Sequence, residues 1–417
     1  MLDGQGNLLA NAMVSSDSRA IRQVREFPFD PIRLYEKTGH TAHPIFSLYK
    51  LLWLREERPD LWSKAARILC FEDYIHHRLE LEPAISFSLA ARTMLFNVTG
   101  QRWDPEILAA SGIRAEQLSR PLPPGDIVGT LSGHFCEKLG LARGAIVVAG
   151  GHDQVCAALG CGAIRPGIAA LGSGTVECIA AAFSEPILTP ALREANLCTY
   201  SHAVPGLYAT LAYNLSGGNV LRWFRQEWAA SEVAAAAETG ADVYDLILSL
   251  MPEPPTKLMV LPYFTGSGTP HFDNHTPAAI LGLRLTSGRG EVLKALLEGL
   301  CFELEANLRI LGSSGIAVDE IRATGGGAKN PRWLQLKADV FNRPVRIPKV
   351  TEAGCLGVAL LACAAKDKRD IASLVAGWVQ LGDAILPDPE RADFYRTRFA
   401  HYEETYRCLQ ALSEKIF

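Results

Sequence analysis

GAIVVAGGHDQVCAALGCGAIRPGIAALGSGTV, residues 144–176, carries two structural units on either side of a short boundary. Ala145–Ala149 reads as a short buried strand, Gly150 and Gly151 as a sharp turn, and Gln154–Cys161 as a helix of small residues. Asp153 then falls at the N-terminus of that helix, just past the carboxyl end of the strand. Ligands of open α/β sheets are handled at that position. After Ile164-Arg-Pro-Gly167 a second sheet begins, with strands at Ile168–Leu171 and Val176–Ala181 joined by Gly172, Ser173, Gly174 and Thr175. The boundary is expected here, giving lobes of residues 1–164 and 165–417.

Toward the C-terminus the same alternation continues. A strand at Leu207–Tyr213 runs through Ser216, Gly217 and Gly218 into a helix near Val220–Trp228. The spacing of Val292, Leu296, Leu300, Leu304, Leu308 and Leu311 predicts one long helix over Glu291–Leu311. A strand at Glu320–Thr324 leads into Gly325, Gly326 and Gly327, then a helix ending near Asn342. Asn330 is its natural N-cap and Pro331 suits its first position. A strand at Val345–Ile347 and a small-residue helix over Glu352–Ala365 follow, while Ala-rich Ser231–Glu238 reads as surface.

Toward the N-terminus, Ile45, Leu48, Leu51, Leu52 and Leu54 recur at helical spacing, and Pro59 ends the run. The opening, MLDGQGNLLANAMV, reads as the stub of one strand, a tight turn and a second strand. A stub without partners leads to the expectation that opening strands are absent.

Composition narrows the class. Of 417 residues, 48% are hydrophobic and 21% charged, and the net charge is −4. That balance belongs to a folded enzyme of two or more domains and argues against a nucleic-acid or anionic-membrane partner. The ten cysteines sit mostly in apolar runs without a C-x-x-C pair, the pattern of buried free thiols in a reducing compartment. No apolar run is long enough to span a membrane, and the N-terminus has no signal-peptide pattern. The expected location is the cytoplasm.

Three glycine turns, Gly172–Thr175, Gly217-Gly218 and Gly325–Gly327, recur where a strand meets another strand or a helix. Glycine lets backbone N–H groups approach a phosphate without a Cβ in the way. None fits G-x-x-x-x-G-K-[ST] or G-x-G-x-x-G, which excludes a P-loop and a dinucleotide fold. Phosphoryl transfer to an alcohol needs such a phosphate cradle and a base that takes the hydroxyl proton. Asp153 is the candidate base; its competing use is to cap its helix.

GGHDQ, LGSGT, ATGGGAKNPRWLQLKADVFNRPV and EAGCLGVALLA together resemble the FGGY family of carbohydrate kinases, over essentially the whole chain. The resemblance implies an α/β actin-like ATPase fold: two ribonuclease-H-like lobes with a cleft between them, where ATP and sugar meet. It also implies ATP and Mg²⁺ as cofactors and a small sugar or polyol as substrate, a ketopentose by preference, and leaves room for a homodimer. Residue by residue, Asp153 resembles the catalytic base. Ser173, Gly174 and Thr175 resemble the phosphate turn, Gly218 a nucleotide-contacting glycine, and Gly326 with Asn330 the adenosine motif. Gln154 and Asp17 match substrate positions, and no side chain is assigned to a metal. Ser15 stands where the family usually has Trp, a departure similar to the L-xylulose kinase branch. The family's opening Asp-x-Gly-Thr hairpin and Gly-Gln strand have no counterpart here, so the first lobe is expected to be incomplete. The alternative this raises is a non-catalytic actin-like remnant that binds nucleotide or sugar without turnover.

Other signals read as structure. His271–His275 with Asp273 is expected to be a polar loop, lacking zinc-motif spacing. His40, His43, His76 and His77 read the same way, and Trp223, Phe224, Trp228, Tyr74 and Trp103 as packing.

Overall fold

The computed structural model describes residues 1–416. In the N-terminal part, helix α1 (Ser47–Glu57) buries Leu48, Tyr49, Leu51 and Leu52. They pack with Leu34, Ile68, Met94, Leu95 and Ile107 in a core of their own. The sheets here are three two-stranded ribbons. One pairs Ala84–Ser86 with Arg120–Leu122 in parallel and another pairs Phe96–Asn97 with Arg102–Trp103. The third pairs β1 (Ile127–Thr130) with β2 (Ile146–Val148), antiparallel. The expected buried strand at Ala145–Ala149 is therefore a half-buried ribbon strand rather than a member of a wide sheet. The opening hairpin is reduced to its turn, closed by Asp3 amide to Asn7 carbonyl at 3.0 Å, with Leu2 bridging Leu8 and Arg67.

Helix α2 (Asp153–Gly160) leads into the second part. A six-stranded sheet follows, built from β3 (Gly167–Ser173), β4 (Glu177–Phe183), β5 (Tyr200–Ser201) and β6 (Tyr208–Asn214). Helices α3 (Gly218–Trp228) and α4 (Arg289–Ser313) precede β7 (Val318–Thr324). Then come α5 (Pro331–Phe341), β8 (Val345–Arg346), α6 (Ala353–Asp367) and α7 (Pro389–Ile416). The order across the sheet is β8-β7-β3-β4-β6-β5, with β3, β7 and β8 parallel and the rest antiparallel. This mixed sheet matches the expected ribonuclease-H-like topology of the second lobe.

Strands β3 and β4 are apolar but for Ser173 and Glu177 at the ends that meet, because both faces are covered. Ala169, Leu171, Ile179, Ala181 and Phe183 face the core of α4, α5 and α7. Ile168, Ala170 and Ala180 face the core of α2 and α6. The small residues on this second face let α2 lie close, and α2 in turn crosses α6 at glycine contacts. A Cβ on Gly160 would stand 1.8 Å from the Ala353 carbonyl oxygen, and one on Gly357 would stand 1.9 Å from that of Cys156. This apolar cluster also takes in Ile85, Phe87 and Phe96. It draws on residues from both sides of Ile164.

Five cysteines are buried as expected, but Cys355 and Cys408 are exposed and the remaining three half-buried. Helix α6 buries only its Ala353, Gly357, Leu360 and Leu361 edge, so Cys355 turns outward despite its apolar run. No helix among the described residues is long and apolar enough to cross a membrane.

Candidate active site

The turn Gly150-Gly151-His152 is held by side chains from the N-terminal part. Glu72 accepts the Gly150 amide at 3.2 Å and the Ser86 amide at 2.7 Å, and Ser88 Oγ accepts the His152 amide at 2.9 Å. His152 is the N-cap residue of α2 but makes no capping hydrogen bond through its side chain. Asp153 is thus the first helical residue and not the cap. Its carboxylate is 80% exposed and lies 3.4 Å from His152 Nε2, while Nδ1 of that ring lies 3.3 Å from the Tyr200 hydroxyl. Burial, with Arg92 nearby, pushes the His152 ring below its ordinary pKa, so it is neutral near pH 7. A neutral ring that accepts from Tyr200 carries its proton on Nε2, toward Asp153.

Asp153 lies near the second sheet, since the His152 ring beside it also contacts the Tyr200 hydroxyl on β5. Gln154 is half-buried, and its Oε1 lies 3.7 Å from where a Cβ on Gly172 would stand. Gln154, read from sequence as the substrate neighbour, therefore stands beside the first glycine turn.

The three turns are joined. The Gly218 amide donates to Gly174 carbonyl at 2.9 Å and the Asn219 amide to Thr175 carbonyl at 3.1 Å. A Cβ on Gly325 would stand 2.6 Å from the Ser173 carbonyl oxygen, and one on Gly327 would stand 2.1 Å from Ser173 Oγ. Gly174, Thr175, Gly325 and Gly326 are exposed, and the space beside Gly326 is open to 4 Å. Ser173, by contrast, is fully buried, with its hydroxyl turned inward to Glu177 and Lys337. Asn330 caps α5 as expected, accepting the Arg332 amide at 3.0 Å while its amide donates to Asp245 at 2.8 Å.

Asp17 is distant in sequence and already occupied. Arg19 holds its carboxylate at 2.5–3.0 Å, and that hydrogen bonding brings its pKa down to about 2. Its carbonyl accepts from Lys50 at 2.6 Å. A cavity of about 650 Å³ runs from Leu8 and Ser15 past Lys50 and Arg92 to His152. Arg92 stacks 4.9 Å over Phe46 there.

Elsewhere, Asp273 bonds the His275 and Thr276 amides and the Thr276 and Tyr406 hydroxyls. Its loop is a structural one. Sequence reasoning missed Glu72, Ser88 and Tyr200, which no motif marks. It also missed Glu177 and Lys337. Their signal was a lone charge within an apolar strand and on an apolar helix face, where charged groups are rare unless paired.

An exposed carboxylate at a helix start and joined glycine turns in an actin-like fold mark a phosphotransferase that uses ATP. Residues 1–160 match the N-terminal domain, and residues 169–366 the C-terminal domain, of the FGGY family of carbohydrate kinases, and the chain belongs to that family. It is 28% identical to the xylulose kinase of Bacillus subtilis, covering 100% of this chain and 82% of that one. It is 29% identical to an autoinducer-2 kinase of Escherichia coli, covering 95% and 76%. The structure of gluconate kinase from Lactobacillus acidophilus superposes with a TM-score of 0.90 at 26% identity, covering 100% and 83%.

Proposed function

We propose that the chain transfers the γ-phosphate of MgATP to a hydroxyl of a small sugar, a ketopentose by preference, with Asp153 as general base. The observation that carries this reading is the exposed carboxylate of Asp153, in contact with His152 and followed by Gln154 at Gly172. A capping Asp would be tied to its own helix amides, and this one is not. Residues 1–164 would bring the sugar and the base, and residues 165–417 the nucleotide. Gly174, Thr175, Gly218, Gly326 and Asn330 would line the nucleotide, with Ser173 contributing its backbone. Gln154 and the Asp17 segment would face the sugar. The joined, exposed turns fit a nucleotide's phosphates, because they offer backbone donors with no Cβ over them. Mg²⁺, carried on those phosphates, would neutralise charge as the γ-phosphate moves. Asp153 would take the hydroxyl proton as the oxygen attacks, and His152 would keep the carboxylate in place. The non-catalytic alternative finds no support in the relatives described above, which are named as kinases.

The test is Asp153→Asn, assayed against pentuloses, hexuloses, polyols and aldonic acids. Asn keeps the shape and removes the base, so turnover on the best substrate should fall by about 10²–10⁴-fold while MgADP binding persists. Turnover at the parent rate would refute Asp153 as base.

A further inference from the structure

Beneath the glycine turns lies a charged cluster that solvent does not reach. Lys337 on α5 places its ammonium 2.6 Å from Glu177 Oε1 at the start of β4, and both side chains are 0% exposed. Ser173, the last residue of β3, donates its hydroxyl to the same oxygen at 2.6 Å and accepts from Lys337 at 3.0 Å. The Trp333 ring lies 3.8 Å from the ammonium and closes the cluster from below.

Each member is tied to a different turn. Ser173 belongs to the first turn and sits against Gly325 and Gly327 of the third. Glu177 meets the second, since a Cβ on Gly217 would stand 3.0 Å from its Cγ. Lys337 lies on the helix that follows the third turn. One ion pair and one hydroxyl therefore connect all three.

Such a cluster is a poor way to stabilise a core. Burying two charges costs desolvation that their attraction only roughly repays, and apolar replacements are often neutral or better. Glu177 Oε2 has no partner among the described residues, nor has Oδ1 of Asn214, which lies opposite Glu177 in the sheet. What the pair does supply is direction. Glycine turns have many accessible conformations, and backbone donors bind phosphate well only when already held in place.

We infer that Ser173, Glu177 and Lys337 form a positioning network that locks the three glycine turns relative to one another for the nucleotide phosphates. Its two charged members stay out of contact with the nucleotide. The inference rests on the reading of these turns as the nucleotide site and adds the residues that set their geometry.

Calorimetric titration with MgADP tests it on the double variant Glu177→Gln/Lys337→Met. This variant removes both charges at similar volume and strands neither. The expected result is a folded protein whose Kd for MgADP is about tenfold weaker or more, tenfold being about 1.4 kcal/mol. Tyr395→Phe is the matched control. It deletes a buried hydrogen bond to Glu298, 2.7 Å long and on α7, so it should lower thermal stability and leave the MgADP Kd unchanged. If the double variant does not fold, Glu177→Gln/Lys337→Gln is read in the same way, since it also removes both charges and lets the two amides hydrogen-bond each other. Parent-like MgADP affinity in the folded charge variant would overturn the network, as would an equal loss in Tyr395→Phe. A parent chain that binds no MgADP overturns the nucleotide assignment itself, and the network with it.

Discussion

Asn330 shows two duties meeting at one residue. Its side-chain oxygen caps α5 and its amide holds Asp245, while its position in GGGAKN also marks it for the adenosine site. Asn330→Ala should lower stability by about 1 kcal/mol through the lost cap. Asn330→Ser should restore most of that, because serine caps nearly as well. Thermal melts of the three proteins measure the cap. If Asn330 also contacts nucleotide, MgADP titration will show both variants equally weakened, serine included. Equal MgADP affinity in all three would leave Asn330 a cap only. The cap was legible from Asn330 and Pro331 because capping is a local rule. The inward turn of Ser173 was not, because its partners lie on β4 and α5.

At the scale of the element, the C-terminal helix α7 is fastened to α4 through buried carboxyl groups. Tyr263 donates to Glu303 at 2.5 Å, and Tyr402 donates to the same oxygen. Burial raises the Glu303 carboxyl to about 7, against an ordinary value of 4.5. The sign follows from linkage. Below pH 4.5 both folded and unfolded forms are protonated. As pH climbs from 4.5 to 7 the unfolded chain ionises freely while the folded carboxyl does not. Stability is therefore lost over that window, by about 3 kcal/mol for this group. Glu303→Gln keeps an acceptor for both tyrosines and cannot ionise. Its melting temperature should fall less than the parent's between pH 5 and pH 8. Parallel pH profiles for the two proteins would contradict this account of the α4–α7 junction. The apolar stripe of α4 was plain in its sequence, and all six residues named for it are buried. Its buried Glu298, Glu303 and Glu305 were not foreseen, since a carboxylate in a helix reads as solvent-facing until its partners are placed, tyrosines for the first two and Arg309 and Arg343 for Glu305.

For the whole molecule, the telling feature is that α2, although it precedes the boundary near Ile164, packs into the core of the second sheet. Val155, Cys156, Ala158 and Leu159 join Ala170, Ala180, Leu360 and Leu361 there. Cutting the chain at residue 165 would remove this helix and uncover the face it fills. A fragment of residues 165–417 should be poorly soluble or lack a cooperative melt, whereas one of residues 150–417 should unfold in a single transition. Circular dichroism melts of both distinguish the cases. Equal cooperativity in the two would mean that α2 is dispensable to the second lobe. Because Asp153 stands at the start of this helix, the same packing ties it to the sheet that carries the turns.

The sequence alone determined what depends on neighbours along the chain: helices α1 to α6, the hairpin β3–β4, the glycine turns, the cap at Asn330 and the place of Asp153 at a helix start. Periodicity, turn chemistry and capping act over a few residues, so they survive without coordinates. Tertiary structure decided the rest. It turned Ala145–Ala149 into one half-buried strand of a ribbon, exposed Cys355, occupied Asp17 with Arg19, and joined Ser173, Glu177 and Lys337 beneath the turns. Each of these outcomes depends on which surfaces are covered and on which charges meet across distant segments. Those are properties of packing, and linear spacing does not encode them.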